Sequence, residues 1–157
     1  MQIVLIAVGV KMPTWVTDAF LIYQKRLPKQ CQLKLVEIAA KHRGKKADIT
    51  RILRDEAAAI TEVIPSDALV IALDRQGKNI DTLGLSNKLR QWIDENQDIA
   101  LIIGGPEGID PQMIAQANQT WSLSKLTFAH PLVRVMVAEQ IYRAWSILAN
   151  LPYHRGD

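Results

Sequence analysis

The chain has 157 residues, 48% hydrophobic and 22% charged, and its 19 basic against 16 acidic side chains leave a formal net charge of +3. That length suits one domain that buries a core without staples, and the composition excludes a disordered or fibrous chain. The lone Cys31 excludes an internal disulfide and fits a reducing compartment, and no apolar run approaches the roughly 20 residues of a membrane span.

The opening MQIVLIAVGVK is too short for a signal peptide and lacks its basic flank. A buried strand over residues 3–8 and a cytoplasmic protein are therefore expected. A helix follows from Pro13 or Thr14 to about Leu27, where Val16, Ala19, Phe20 and Tyr23 recur at helical spacing and Pro28 ends it. Residues 33–38 read as a second strand. Asp48 caps a helix reaching about Ile64, with Ile49, Ile52, Leu53, Ala57 and Ile60 as its apolar stripe.

Residues 68–73 are a third strand, ending at Asp74, and Arg75-Gln76-Gly77-Lys78 reads as a turn. A helix covers residues 83–93, with Leu85, Leu89, Trp92 and Ile93 inward. A fourth strand at 99–103 is broken by Gly104-Gly105-Pro106-Glu107-Gly108. A short helix spans 111–117, residues 121–129 are irregular, and a last helix runs from Pro131 to about Leu148. Strands alternating with helices predict a single α/β domain with a parallel sheet covered on both faces.

In such sheets ligands sit beyond the carboxyl ends of the strands, here Leu73-Asp74 and Gly104-Gly105. The glycine-rich turn matches neither the dinucleotide nor the P-loop fingerprint, and Glu107 repels phosphate. His130 precedes Pro131 at the positive end of the last helix, a place that suits a polar cap. That helix is apolar nearly all round, as in a buried or interface helix. Arg134 lies on its Ala138-Ile141-Trp145 face, which requires an ion pair or a ligand. Glu139 and Arg143 are spaced i,i+4, as a surface pair would be. Lys41, His42, Arg43, Lys45 and Lys46 cluster in one loop, with Arg51 and Arg54 beyond and His154 and Arg155 at the tail. A solvated loop and a phosphate-contacting surface are equally consistent with that run. Residue chemistry alone stops at a soluble α/β domain with a basic loop.

Five stretches carry a resemblance: IAVGVKMPTWV, AKHRGKKADI, GGPEG, WSLSKLTFAHPLVRVMVAEQIYRAW and the terminal PYHRGD. Together they are similar to the large-subunit ribosomal RNA methyltransferase H family, the 23S rRNA pseudouridine N3-methyltransferases of the SPOUT class, over essentially the whole chain. Departures are confined to Ala129, where some relatives have proline, and a terminal Gly-Asp extension.

The resemblance implies a C-terminal deep trefoil knot and a homodimer with the last helix in its interface. It implies S-adenosylmethionine held by Leu73, Gly104, Leu123, Ser124, Lys125, Leu126, Thr127 and Phe128. It places His130, Arg143, Tyr153 and His154 as candidates for removing the N3 proton, stabilising the anion or stacking on the base. Lys41, His42, Arg43, Lys45, Lys46 and Arg155 then become an RNA backbone clamp on the assembled ribosome, at the helix 69 loop. No metal and no membrane partner is expected.

Overall fold

The computed structural model describes residues 1–156; Asp157, which ends the PYHRGD tail and its Gly-Asp extension, lies outside them. Ten elements follow in chain order: β1 (Gln2–Val8), α1 (Thr14–Arg26), β2 (Gln32–Ile38), α2 (Ile49–Val63), β3 (Leu69–Asn79), α3 (Thr82–Asp94), β4 (Ile99–Ile103), α4 (Pro111–Gln116), β5 (Gln119–Ser122) and α5 (His130–Leu148). The strands form one sheet in the order β2-β1-β4-β3-β5, parallel at every pairing. Parallel neighbours need a crossover between them, which the intervening helices supply.

Successive strand residues face opposite sides. In β1, Ile3, Leu5 and Ala7 pack with Phe20 of α1, Leu89 and Trp92 of α3, and Val137, Ala138 and Ile141 of α5. Val4, Ile6 and Val8 pack on the other face with Ile60 of α2 and Met113 of α4. Burial on both faces explains why β1 and β4 are unbroken apolar runs. Each fully buried Leu or Ile there stabilises the fold by about 1.5–3 kcal/mol. Asp48, Asp81 and Asp110 cap α2, α3 and α4, each accepting backbone N–H groups of the first turn. Among the described residues no helix is long and apolar enough to cross a membrane.

The structure departs from the sequence expectation at two places. The turn expected at 75–78 lies inside a continuing strand: β3 pairs with Trp121 at Leu73, loops out, and pairs with Trp121 again at Lys78. Gly77 permits this, because a Cβ there would stand 2.6 Å from the Trp121 carbonyl carbon. The stretch expected to be irregular from Trp121 begins instead with the end of β5. That strand is four residues long, too short to show a period.

Candidate functional site

β3 and β4 pair in register up to Leu73 and Ile103, and beyond those residues opens a cavity of about 660 Å³. Gly104, Gly105, Ile109, Phe128 and Val133 are among its walls. A smaller cavity of about 130 Å³ adjoins it, walled by Trp121, Ser122, Leu123, Ser124 and Leu126. Leu73, Asp74, Arg75, Thr127, Phe128 and Val133 face both, so the two are lobes of one cleft. Its position, outside the carboxyl ends of parallel strands, is where open α/β sheets take ligands. Seven of the eight residues expected at the cofactor line it: Leu73, Gly104, Leu123, Ser124, Leu126, Thr127 and Phe128. Lys125 is exposed and lines neither lobe.

Gly104 begins a turn in which the Gly108 amide donates to the Gly105 carbonyl at 3.0 Å. A Cβ on Gly104 would stand 2.3 Å from the Gly108 carbonyl, so the turn closes this tightly only around glycine. The Gly104 carbonyl is in turn held by His130 Nδ1 at 2.9 Å. On the other side of the ring, Arg134 Nε donates to His130 Nε2 at 3.2 Å. A guanidinium has no acceptor, so Nε2 carries the lone pair and the proton sits on Nδ1. Burial first, and then the Arg134 charge, lower the His130 pKa from the ordinary 6.5 against the opposing pull of the Gly104 bond. His130 is a neutral imidazole with both nitrogens engaged inside the chain.

Arg134 itself is 1% exposed, and its remaining donors reach Glu37 Oε2 and the Gly9 carbonyl, both at 2.7 Å. Of the two alternatives left open by the sequence, the structure shows the ion pair. Glu37 is the last residue but one of β2, a short way ahead of the basic loop.

The tail residues gather at the opposite end of α5. Arg143 holds Glu139 Oε1 through Nε at 2.8 Å and Nη2 at 2.6 Å, its Nη1 lies 3.3 Å from His154 Nδ1, and its guanidinium carbon lies 4.8 Å from the Tyr153 ring centre. The Tyr153 hydroxyl donates to Glu139 Oε1 at 3.1 Å. Burial, hydrogen bonding with Tyr23 and the Glu139 charge push its pKa up, so Tyr153 stays a neutral donor. The structure brings Arg143, Tyr153 and His154 together. His130 starts the same helix that Arg143 nearly ends, about 20 Å away along the axis at 1.5 Å per residue.

Lys41, His42, Lys45 and Lys46 are exposed between β2 and α2, and Arg155 is exposed in the tail. Arg43 is turned inward. Its Nη2 meets Glu56 Oε1 at 2.8 Å, its Nε holds the Glu107 carboxylate, and its Nη1 donates to the Lys41 carbonyl at 2.8 Å. The guanidinium thus ties the basic loop to the 104–108 turn. Glu56 is 2% exposed and its Oε2 has no hydrogen-bond partner among the described residues, so Arg43 is the charge that makes its burial tolerable.

Sequence reasoning missed Arg75, Trp121 and Val133 in the cleft, and Glu37 and Glu56 as anchors. For Arg75 a signal existed, since it follows the apolar run that ends at Leu73 by two residues. The carboxylates gave none, because their partners are distant in the chain.

A family model described as "Predicted SPOUT methyltransferase" matches residues 1–154. The chain belongs to the SPOUT methyltransferase family. Three curated relatives are each called ribosomal RNA large subunit methyltransferase H. They come from Thioalkalivibrio sulfidiphilus, Hydrogenovibrio crunogenus and Marinomonas sp., at 53%, 52% and 50% identity over 99% of this chain and 99–100% of theirs. Among solved structures, a methylase family protein from Haemophilus influenzae is similar at TM-score 0.53 and 15% identity, over 99% of this chain and 70% of the other. A second, from Neisseria gonorrhoeae, is similar at TM-score 0.53 and 12% identity, over 99% and 86%. At those identities the likeness speaks for the fold alone. The fold of this SPOUT methyltransferase is thus shared with those two proteins.

Proposed function

We propose that this protein transfers a methyl group from S-adenosylmethionine to N3 of a pseudouridine in the helix 69 loop of 23S rRNA, acting in the cytoplasm on the assembled ribosome. The observation that carries this reading is the full-length likeness, at 50–53% identity, to three relatives that bear the same ribosomal RNA methyltransferase name. The cleft supports it. Leu73, Leu123, Leu126 and Phe128 offer an apolar wall for a purine-sized ring, and residues 123–128 lie past the end of β5, where backbone groups are available to a base edge. These residues fit the cofactor. When bound, it supplies an electrophilic methyl group on a sulfonium.

The N3 imide of pseudouridine is mostly protonated at neutral pH and poorly nucleophilic, so the protein must take its proton or stabilise its anion. Both nitrogens of His130 are engaged, which suits it to hold the Gly104 carbonyl in place. His154, beside Arg143 and Tyr153, is the other histidine candidate for taking the proton, directly or through water. Arg143 stabilises charge on the base oxygens, and Tyr153 offers a ring for stacking. Lys41, His42, Lys45, Lys46 and Arg155 form the phosphate clamp.

His130 and the Arg143 group stand about 20 Å apart on one helix, further than one base can bridge. A homodimer resolves this if the tail of one copy meets the cleft of the other. Trp15 (54% exposed) and Ile22 (50%) on α1, which packs beside α5, offer an apolar surface for that contact. A trefoil knot is consistent with the route of the chain: β5 forms outside β3, and α5 returns to pack on α1 and α3.

The test uses methyl-tritiated cofactor with ribosomes from a strain lacking the protein. The expected result is label in 23S rRNA, located by mass spectrometry to the pseudouridine, with naked rRNA labelled far less. Absence of label in ribosomes removes the proposal.

A further inference from the structure

The two charged residues that line the cleft are chain neighbours, Asp74 and Arg75. In a regular strand neighbours point to opposite faces. Here residues 74–77 loop out between the Leu73 and Lys78 pairings with β5, and both residues line both lobes. Asp74 Oδ1 accepts the Gln76 amide at 2.8 Å, which fixes its carboxylate at the rim. Arg75 Nη1 donates to Thr127 Oγ1 at 2.7 Å, a span that joins the β3 bulge to the 123–128 segment across the cleft.

Among the described residues Arg75 forms no ion pair with a carboxylate. A guanidinium carries five N–H donors, and one hydroxyl leaves most of them unused. The rest of the cleft wall is uncharged: apolar side chains, backbone, hydroxyls, Gln76 and the neutral His130. A ligand with one carboxylate and one ammonium close together matches such a paired site. An apolar ring alone would leave both charges unanswered.

We propose that Asp74 and Arg75 recognise the amino-acid end of the cofactor, Arg75 binding its α-carboxylate and Asp74 its α-ammonium. The inference rests on the reading of the cleft as an S-adenosylmethionine site and names the residues that select the full cofactor over its truncated nucleoside. Arg75 suits the task because its planar fork meets a carboxylate through two parallel bonds, which are stronger than neutral ones.

Calorimetry on the purified full-length protein with two ligands tests this. S-adenosylhomocysteine carries the amino-acid end, and 5′-methylthioadenosine lacks it. The wild-type protein is expected to prefer the former by about tenfold or more, the scale of one charge-assisted contact. Arg75→Gln should weaken S-adenosylhomocysteine by about tenfold and change methylthioadenosine less than about twofold. Arg75→Lys should recover part of the preference, because a point charge replaces the fork. Arg75 is exposed, so the fold should survive, as circular dichroism would verify. Equal weakening of both ligands, or no change in either, overturns the assignment. If the wild-type protein binds both ligands equally, the cofactor reading stands and this assignment falls. If it binds neither, the cofactor reading fails and takes the assignment with it.

Discussion

Arg134 Nε faces His130 Nε2 across 3.2 Å, and the far side of the same ring holds the Gly104 carbonyl at 2.9 Å. Because the arginine only donates, the histidine is fixed as a neutral Nδ1–H tautomer. His130→Asn should therefore weaken cofactor binding by about threefold to tenfold, the worth of one neutral hydrogen bond, without moving the pH profile of turnover. Loss of a titration step from that profile would instead make His130 the base. Stability carries its own signature. The folded pKa lies below the unfolded 6.5, so the unfolded chain takes the proton first. The contribution is complete above pH 6.5 and is lost as pH falls through the lower folded value. Between pH 7.5 and 5.5 the wild-type Tm should fall further than that of His130→Asn.

Arg134 spends its donors on Glu37, Gly9 and His130 while almost wholly buried. Arg134→Met keeps the volume but leaves Glu37 and the Gly9 carbonyl without their partner. Breaking a buried pair costs about 3–5 kcal/mol. Glu37 is 37% exposed on its side chain and can rehydrate, so about 2–3 kcal/mol is expected from urea unfolding. Glu37→Gln keeps one acceptor oxygen but leaves the buried guanidinium without its counter charge, so a cost of about 2–3 kcal/mol is expected there too. A loss below about 1 kcal/mol for Arg134→Met would show that the pair does not hold β2 to α5.

Within the basic loop the lysines and Arg43 should behave differently. Lys45 and Lys46 are exposed, and replacing both with Ala should raise the ribosome concentration for half-saturation with little change in the saturated rate. The slope of log affinity against log salt should shrink by about 0.7–0.9 for each phosphate that is no longer neutralised. Arg43→Ala should leave that slope unchanged, because its guanidinium is already on Glu56 and Glu107. It should lower Tm instead, since Glu56 would be buried without a counter charge. A reduced salt slope for Arg43→Ala would place it on phosphate after all.

Much of this was legible in the sequence because the signals are local. The unbroken runs at β1 and β4, the 3.6-residue stripes of α2 and α3, and the Asp48 cap of α2 each declare themselves within one element. The cleft was legible as strand ends followed by a glycine turn. β5 was not, since Gln119–Ser122 has no period to read, and Gly77 looks like a turn until the backbone of Trp121 is seen against it. Nor was the inward Arg43, whose partner Glu107 is 64 residues away. A charge run in a sequence says nothing about which member another carboxylate will claim.

Arg143 gives the sharpest separation between binding and chemistry. It stands near the end of α5 distant from Gly104, held by Glu139 and stacked on Tyr153, and the cleft walls do not include it. Arg143→Ala should leave S-adenosylhomocysteine affinity within about twofold of wild type. Turnover should fall by about 100-fold or more, as when one preorganised donor to a developing anion is removed. Arg143→Lys should recover only part of that rate, because a single ammonium replaces a fork that spans Glu139, His154 and the ring. Calorimetry and single-turnover methylation of ribosomes measure the two quantities separately. Loss of cofactor binding in Arg143→Ala, with the fold intact, would mean that this guanidinium reaches the cofactor itself.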